Sequence, residues 1–491
     1  MSVCAPPLGR GVGKRGSLRV ALLSSEAVPF AKTGGLGDVA GALPKALAEE
    51  GIEVALIHPL YDTTDRRLLR EQVFDNLEVD WLGERRRVSV WLSDAAGAPA
   101  FLIDAPEYFS RGKVYGFSDD HYRFAFFSRA ALALLGRIGP APDVVHGNDW
   151  PCGFAVAWLW ASRLWGGFLA RTRTLMSVHN LAYQGLFDPG DLWRLGFRGG
   201  EETNVFLSNG AASSLKAGLM TSDAISTVSR RYSYEIQEPE QGHGLDWLLR
   251  QRRDRLVGIT NGVDYDVWNP ETDGHIAAHF SASDLKGKRA CKLDLLRRFG
   301  LPEEPDRPVI ASISRMVAQK GFDLIRQVAG QLLDAGAFFV SLGSGEREYE
   351  DFFQALHDFA PHRVAVYRGF NEPLAHQIEA GADIFLMPSL YEPCGLNQMY
   401  SMRYGTVPVV RATGGLDDTV EQFDPATGEG TGFKFEHYSA QALIEKVREA
   451  LHWYTQAPAW LKIQQNGMRV DNSWQAAARK YVRVYHALFE L

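Results

Sequence analysis

Residues 31–47, AKTGGLGDVAGALPKAL, set a lysine before paired glycines and a helical apolar pattern. Such residues suit phosphate, because an ammonium, exposed backbone N–H groups and the positive end of a helix converge on one anion. Lys32, Gly34 and Gly35 are the candidates, although taken alone they also read as a loop with a surface lysine. The run Gly35-Leu36-Gly37-Asp38-Val39-Ala40 fits G-x-G-x-x-[GA], and Glu53 stands about where a ribose-binding acid would be, so a nicotinamide-dependent dehydrogenase has to be considered. In that fold the glycine turn follows its strand directly, whereas residues 25–33 intervene here between LRVALLS and Gly34. A Walker A loop fails as well, since Lys32 precedes the glycines.

Four further clusters could do chemistry. Arg315 and Lys320 in SRMVAQKGFD follow an apolar run and precede a helix expected near Phe322. They are either solvated charge or two cations able to stabilise a departing diphosphate without a metal. Asp264-Tyr265-Asp266 matches a metal-diphosphate pattern, but its Asn-Gly and Asn-Pro neighbours favour a structural turn. In PSLYEPCGLNQ, Glu392 and Gly395 precede a helix, where a carboxylate can hold sugar hydroxyls while nearby amides face phosphate. Cys394 sits at the same helix start; with no evident partner base it reads as a packed or ligand-lining thiol. Thr413-Gly414-Gly415-Leu416-x-Asp418 echoes Thr33-Gly34-Gly35-Leu36-x-Asp38, a hint of two phosphate-facing turns.

The elements that must position these residues alternate. LRVALLS and EVALIHPLY read as buried parallel strands around a helix that begins at the glycines, holds Pro44 and stops near Gly51. APAFLIDA, PDVVHGND, TRTLMSVHN, DAISTVS and RLVGITNGV continue the series with helices between most of them. A second series, VIASISR, FFVSLGSG, RVAVYRGF, DIFLMPS and TVPVVRA, follows a charge-rich helix around residues 284–299. Alternation of this kind predicts an α/β protein with two Rossmann-like, doubly wound parallel-sheet domains. The expected division is a disordered basic arm at 1–17, a first domain at 18–260 completed by a helix at 473–491, and a second domain at 261–472.

Bulk properties exclude other classes. The chain has 491 residues and a formal charge of −7, which argues against a dedicated nucleic-acid binder and is compatible with a neutral substrate. Cys4, Cys152, Cys291 and Cys394 are too dispersed for a zinc site or a small disulfide framework, so a reducing compartment is expected. The apolar run at residues 154–170 is interrupted by Arg163, which argues against a membrane span.

With these pieces in view, the sequence resembles the bacterial glycogen synthases and plant starch synthases. The resemblance covers nearly the whole chain from Leu18 and rests on KTGGLGDV, YFSRGKVYG, DDHYRFAFFSRAAL, HGNDW, SVHNLAYQG, TNGVD, SRMVAQKG, PSLYEPCGLNQ and RATGGLDDTV in the family's order. It implies a GT-B fold, with the two domains facing a central cleft, and a retaining transfer of glucose from ADP-glucose. It further implies a catalytic set of Lys32, His179, Arg315, Lys320 and Glu392. Lys32, Gly34, Gly35, Arg315 and Lys320 would meet the donor phosphates. His179, Asn261 and Glu392 would grip the glucosyl unit, with Asp149, Trp150, Cys394 and Gly395 lining the pocket. Asp38, Asn180, Leu396, Thr413, Gly414 and Gly415 complete the implied substrate-binding positions, and Tyr108 and Tyr115 would lie on the acceptor side. Pro151-Cys152 departs from the family, which usually has His or Gln followed by Thr there.

The reaction so implied transfers glucose to the non-reducing-end 4-hydroxyl of an α-1,4-glucan such as glycogen, releasing ADP, with no metal or other cofactor, no nucleic acid and no membrane. A cytoplasmic location is expected, with a plastid as the alternative. The rival readings are a UDP-glucose-dependent synthase and a catalytically inactive glucan-binding protein.

Overall fold

The computed structural model describes residues 17–163 and 167–490. Most of the basic arm, with Cys4, lies outside them. The chain divides into two compact units: residues up to Val228, Ser233–Gly262 and Trp474–Leu491 form the first, and Ser229–Tyr232 and Val263–Ser473 the second. This differs from the division expected from sequence at three places. Asn261 and Gly262 stay in the first unit, where a side chain at Gly262 would lie 2.4 Å from the Trp474 Cα, so only glycine lets the two segments meet. Ser229–Tyr232 join the second unit, because the Ser229 hydroxyl donates to the Pro393 carbonyl at 2.7 Å. Ser473 also stays in the second unit, so the returning segment begins at Trp474.

The first unit is built on β1 (Arg19–Leu23), β2 (Glu53–Pro59), β3 (Glu71–Trp81), β4 (Glu84–Ser93), β5 (Ala100–Asp104), β6 (Val144–Asn148) and β7 (Arg173–Val178). A small separate sheet holds β8 (Leu186–Phe187), β9 (Leu207–Ser208) and β10 (Ala211–Ser213), and β11 (Ala224–Thr227) and β12 (Leu256–Gly258) complete the main one. The main sheet runs β12-β11-β7-β6-β1-β2-β5-β4-β3, parallel except where β4 pairs with β5 and β3. In β1, Val20 and Leu22 enter one core while Ala21 and Leu23 enter the other, the alternation of a strand buried on both faces. Val20, Leu22 and Leu23, all buried, contribute about 1.5–3 kcal/mol each.

The hairpin of β3 and β4 has no counterpart among the strands expected from sequence. Its residues EQVFDNLEVDW and ERRRVSVWLS carry too many charges for a buried run, and the pair turns through Leu82 and Gly83, both at positive φ. The first helix runs Gly35–Glu49 through Pro44, and Gly51 at φ 86° follows its end. The helix Trp474–Ala487 returns to this unit, where Gln475 donates to Glu49 at 2.8 Å and Tyr485 meets His146 at 2.9 Å.

The second unit holds β13 (Val309–Ile313), β14 (Phe338–Gly343), β15 (Val364–Arg368), β16 (Ile384–Met387), β17 (Val407–Arg411) and β18 (Phe433–Phe435) in the order β15-β14-β13-β16-β17-β18, all parallel. Renumbered from its own first strand this is 3-2-1-4-5-6, the doubly wound order of a Rossmann sheet. In β13, Ile310 packs into one core and Val309 and Ala311 into the other. No helix among the described residues is long and apolar enough to cross a membrane.

Candidate active site

In an open parallel sheet the crevice forms beyond the carboxyl ends of the two strands where the order reverses. In the first unit those strands are β1 and β6. The chain leaving β1 carries Glu26, then Lys32, Gly34 and Gly35; the chain leaving β6 carries Asp149 and Trp150; and His179 follows β7 next door. Sequence spacing and topology therefore agree in bringing these residues to one sheet end.

The glycine turn is held from behind. Glu26 Oε2 accepts from the Thr33 N–H at 2.5 Å and the Gly34 N–H at 2.9 Å. In front it is open: a Cβ placed on Gly34 or Gly35 meets nothing within 4 Å. Lys32 lies beside it with 48% of its side chain exposed, its Nζ 2.7 Å from Asp38 Oδ1. Because both partners are solvent-accessible, this ion pair is cheap to exchange for a ligand anion.

Asp149 begins its helix in the left-handed region, at φ 54°, a strained setting for a non-glycine residue. Its Oδ1 accepts from the His179 N–H at 2.7 Å. His179 Nε2 in turn meets Asn148 Oδ1 at 3.0 Å, and Asn148 is anchored to the Leu23 carbonyl at 3.0 Å. Burial pushes Asp149 up to about 7, helped by the negative charge of Glu26, and opposed by the His179 and Asn180 amides. Burial lowers His179 to about 4, so its ring is neutral at pH 7.

An acid whose folded pKa is raised binds its proton more tightly folded than unfolded. Its contribution to stability is complete below pH 3.8 and is lost as pH rises to about 7. Thermal midpoints of Asp149→Asn are therefore expected to decline less than wild type across that window. Parallel midpoint curves would contradict the assignment.

Other candidates fall differently. Trp150 packs edge-on against Phe124 at 5.0 Å. The Tyr115 hydroxyl donates to Glu26 Oε1 at 2.9 Å. Tyr108 is not drawn into this constellation, since its ring stacks on Phe126 at 4.2 Å. Asn180 Oδ1 accepts from the Ala182 N–H in a local turn. Asn261 is buried, and its Oδ1 has no hydrogen-bond partner among the described residues. Pro151 occupies the first helical turn, where no N–H acceptor exists to be lost, and Cys152 is buried with its thiol pushed up to about 12.

In the second unit the order reverses between β13 and β16. Arg315 and Lys320 follow β13, and Glu392 follows β16. Lys320 Nζ lies 2.6 Å from Glu392 Oε2, which also accepts from the Ser389 hydroxyl at 3.1 Å. Arg315 is exposed, and Cys394 is buried. Gly395 takes φ 70°, Leu396 precedes the helix Asn397–Arg403, and the Gln398 amide donates to the Cys394 and Gly395 carbonyls. Thr413, Gly414 and Gly415 form the next turn, where the Gly415 N–H donates to the Glu392 carbonyl at 3.0 Å. A Cβ on Gly414 or Gly415 would fall 1.9 Å from the Glu392 oxygen or 2.0 Å from the Cys394 oxygen. These glycines serve close packing, unlike Gly34 and Gly35.

Asp264-Tyr265-Asp266 forms a turn in which Asp264 Oδ1 accepts from the Asp266 N–H at 2.9 Å. Among the described residues no three His, Cys, Asp or Glu side chains are grouped to hold a metal. Glu26, Asn148 and Ser389 were not singled out by sequence. Glu26 had the one available signal, a carboxylate between the first strand and the glycines.

Two Rossmann-like sheets, each with polar and cationic groups gathered at its switch point, fit the GT-B class of glycosyltransferases, and comparison with known proteins shows that class. The starch synthase catalytic domain family matches residues 19–251, and glycosyl transferases group 1 matches residues 296–465. A glycogen synthase of Koribacter versatilis is 45% identical over 95% of this chain and 98% of its own length. One from Anaeromyxobacter dehalogenans is 46% identical over 96% of this chain and 100% of its own length. The solved catalytic domain of starch synthase IV from Arabidopsis thaliana, bound to ADP and acarbose, matches with a TM-score of 0.88 at 33% identity, covering 97% of this chain and 100% of that one. The chain belongs to the glycogen and starch synthase family, and it is a hexosyltransferase.

Proposed function

We propose that this chain transfers glucose from ADP-glucose to the 4-hydroxyl at the non-reducing end of an α-1,4-glucan, retaining the α configuration and releasing ADP. The observation that carries the reading is the open glycine turn, where an anion can reach helix-end amides beside Lys32 without meeting a side chain. The ADP held by the starch synthase IV structure supports the choice of base.

In the first unit Lys32 and the Gly35 amide offer phosphate contacts, with Gly34 giving open space beside them while its own N–H is held by Glu26, and in the second Arg315 and Lys320 do. Their charge stabilises the diphosphate as its bond to the glucosyl carbon breaks, which is the reason no metal is invoked. The departing phosphate oxygen takes the proton of the incoming hydroxyl on the same face as the new glycosidic bond forms. Glu392, His179 and Asn261 hold the sugar, and Glu392 stabilises charge without forming a covalent intermediate. The buried thiols of Cys152, Cys291 and Cys394 accord with a reducing, cytoplasmic setting.

The test is ADP release from ADP-glucose with and without glycogen, with UDP-glucose in parallel and Lys32→Ala as control. Glycogen-dependent release from ADP-glucose, unchanged by a chelator and at least about tenfold weaker in Lys32→Ala, is the expected result. Preference for UDP-glucose overturns the donor. No release from either donor by folded protein overturns the transferase reading in favour of glucan binding alone.

A further inference from the structure

The buried carboxylate of Glu26 takes no part in the steps above, yet both of its oxygens are engaged. The residue is 4% exposed. Oε2 accepts from the Thr33 and Gly34 N–H groups, and Oε1 accepts from the Tyr115 hydroxyl, which also lies 2.8 Å from Ser25 Oγ. The Glu26 backbone is pinned in turn, its carbonyl accepting from the Ser24 hydroxyl at 2.6 Å. Burying a charge is costly unless donors surround it. Here the donors are two amides and a phenol, and the positive end of the helix Gly35–Glu49 follows directly.

We propose that Glu26 is a positioning residue for the sugar-nucleotide donor: it sets the Thr33–Gly34 backbone so that the helix's first-turn amides face the donor phosphates, and it ties that turn to Tyr115. This rests on the proposed reading of the glycine turn as the phosphate site. Two observations separate this role from ordinary capping. Gly34, the residue at the cap position, supplies no side-chain hydrogen bond, so the turn depends on a carboxylate from the preceding loop. That carboxylate engages the two amides just before the helix, and the Gly37 N–H donates to the Gly34 carbonyl at 3.2 Å, which leaves the Gly35 and Leu36 amides to a ligand in the open space before Gly35. The negative charge of Glu26 also reaches Asp149, so the same group connects the glycine turn with the His179 side of the crevice.

Calorimetric titration of the full chain with ADP, together with donor and glucan KM values, tests the proposal. Glu26→Ala is expected to weaken ADP and raise the ADP-glucose KM by about tenfold, the loss of charge-assisted hydrogen bonds, with glucan KM little changed and the thermal midpoint lowered because the Thr33 and Gly34 amides and the Tyr115 hydroxyl lose their acceptor. Glu26→Gln, whose amide oxygen still accepts from Thr33 and Gly34, should recover most of the affinity. Tyr115→Phe should weaken ADP by about threefold alone and by less on the Glu26→Ala background, because both act through one contact. Lys32→Ala runs alongside. If it loses ADP affinity while folded Glu26→Ala and Tyr115→Phe bind within twofold of wild type, the positioning role is wrong and the phosphate site stands. If Lys32→Ala binds ADP normally, the phosphate site itself is wrong and the proposal falls with it. Should Glu26→Ala not fold, unchanged ADP affinity in Tyr115→Phe overturns the proposal by itself.

Discussion

Glu392→Ala is expected to lower kcat by about a thousandfold while leaving the protein folded, the scale seen when a preorganised electrostatic contact to a transition state is removed. Glu392 is buried at 6% exposure, and its Oε2 lies 2.6 Å from Lys320 Nζ. Truncation therefore removes the group proposed to hold the sugar and leaves the Lys320 ammonium, itself largely covered, without its counter-ion. An unpaired lysine can swing away from the place where diphosphate charge develops. That costs catalysis beyond the lost sugar contact. Glu392→Gln separates the two effects, since it keeps the shape and the Ser389 hydrogen bond but not the charge. Its kcat should fall by about ten- to a hundredfold. Lys320→Ala with Glu392→Ala should cost less than the sum of the single changes, because each single leaves the other charge stranded. Steady-state kinetics on folded variants decides the matter, and a Glu392→Ala kcat within tenfold of wild type would remove Glu392 from the transition state.

That expectation rests on partly legible sequence. The apolar runs that became β1, β2, β5, β6 and β7 were visible because a strand buried on both faces is apolar throughout. The hairpin of β3 and β4 was not, since ERRR in β4 lies on the exposed part of the sheet and masks the alternation that follows. Phe433–Phe435 is too short to show a period at all. At the site, strand ends and turn residues located Lys32, Arg315, Lys320 and Glu392 by type and spacing. Their partners could not be found in this way. Glu26 and Asn148 act on Thr33, Gly34, Tyr115 and His179 atoms brought near by folding, Ser389 is a lone serine three residues from Glu392, and only Glu26 carried a positional signal, which did not fix its partners. The echo of TGGL shows the limit from the other side, because one tetrapeptide opens onto empty space and its twin presses on the Glu392–Cys394 backbone.

The contrast between the two turns predicts opposite outcomes for one chemical change. Gly415→Ala is expected to destabilise the protein by about 2–3 kcal/mol and lower kcat/KM for the donor about a hundredfold. Its new Cβ would stand 2.0 Å from the Cys394 oxygen and 2.5 Å from the Cys394 Cα, distances no real methyl adopts. The clash is with backbone, so no side chain can rotate away, and the hydrogen bond from the Gly415 N–H to the Glu392 carbonyl ties the two segments together. Relief requires the loop carrying Glu392 to shift by about 1 Å, a displacement sufficient to spoil a reacting geometry. Gly35→Ala places the same methyl where nothing lies within 4 Å, at the first position of a helix. Alanine is favoured there by about 0.5–1 kcal/mol through the unfolded chain, so its thermal midpoint should hold or rise. Its donor KM should still increase, because the methyl intrudes on the space proposed for phosphate. Paired melting curves and donor kinetics of the two variants test both halves. Equal midpoints would mean that the Thr413–Gly415 turn yields freely, and that Glu392 is held by Lys320 and Ser389 alone.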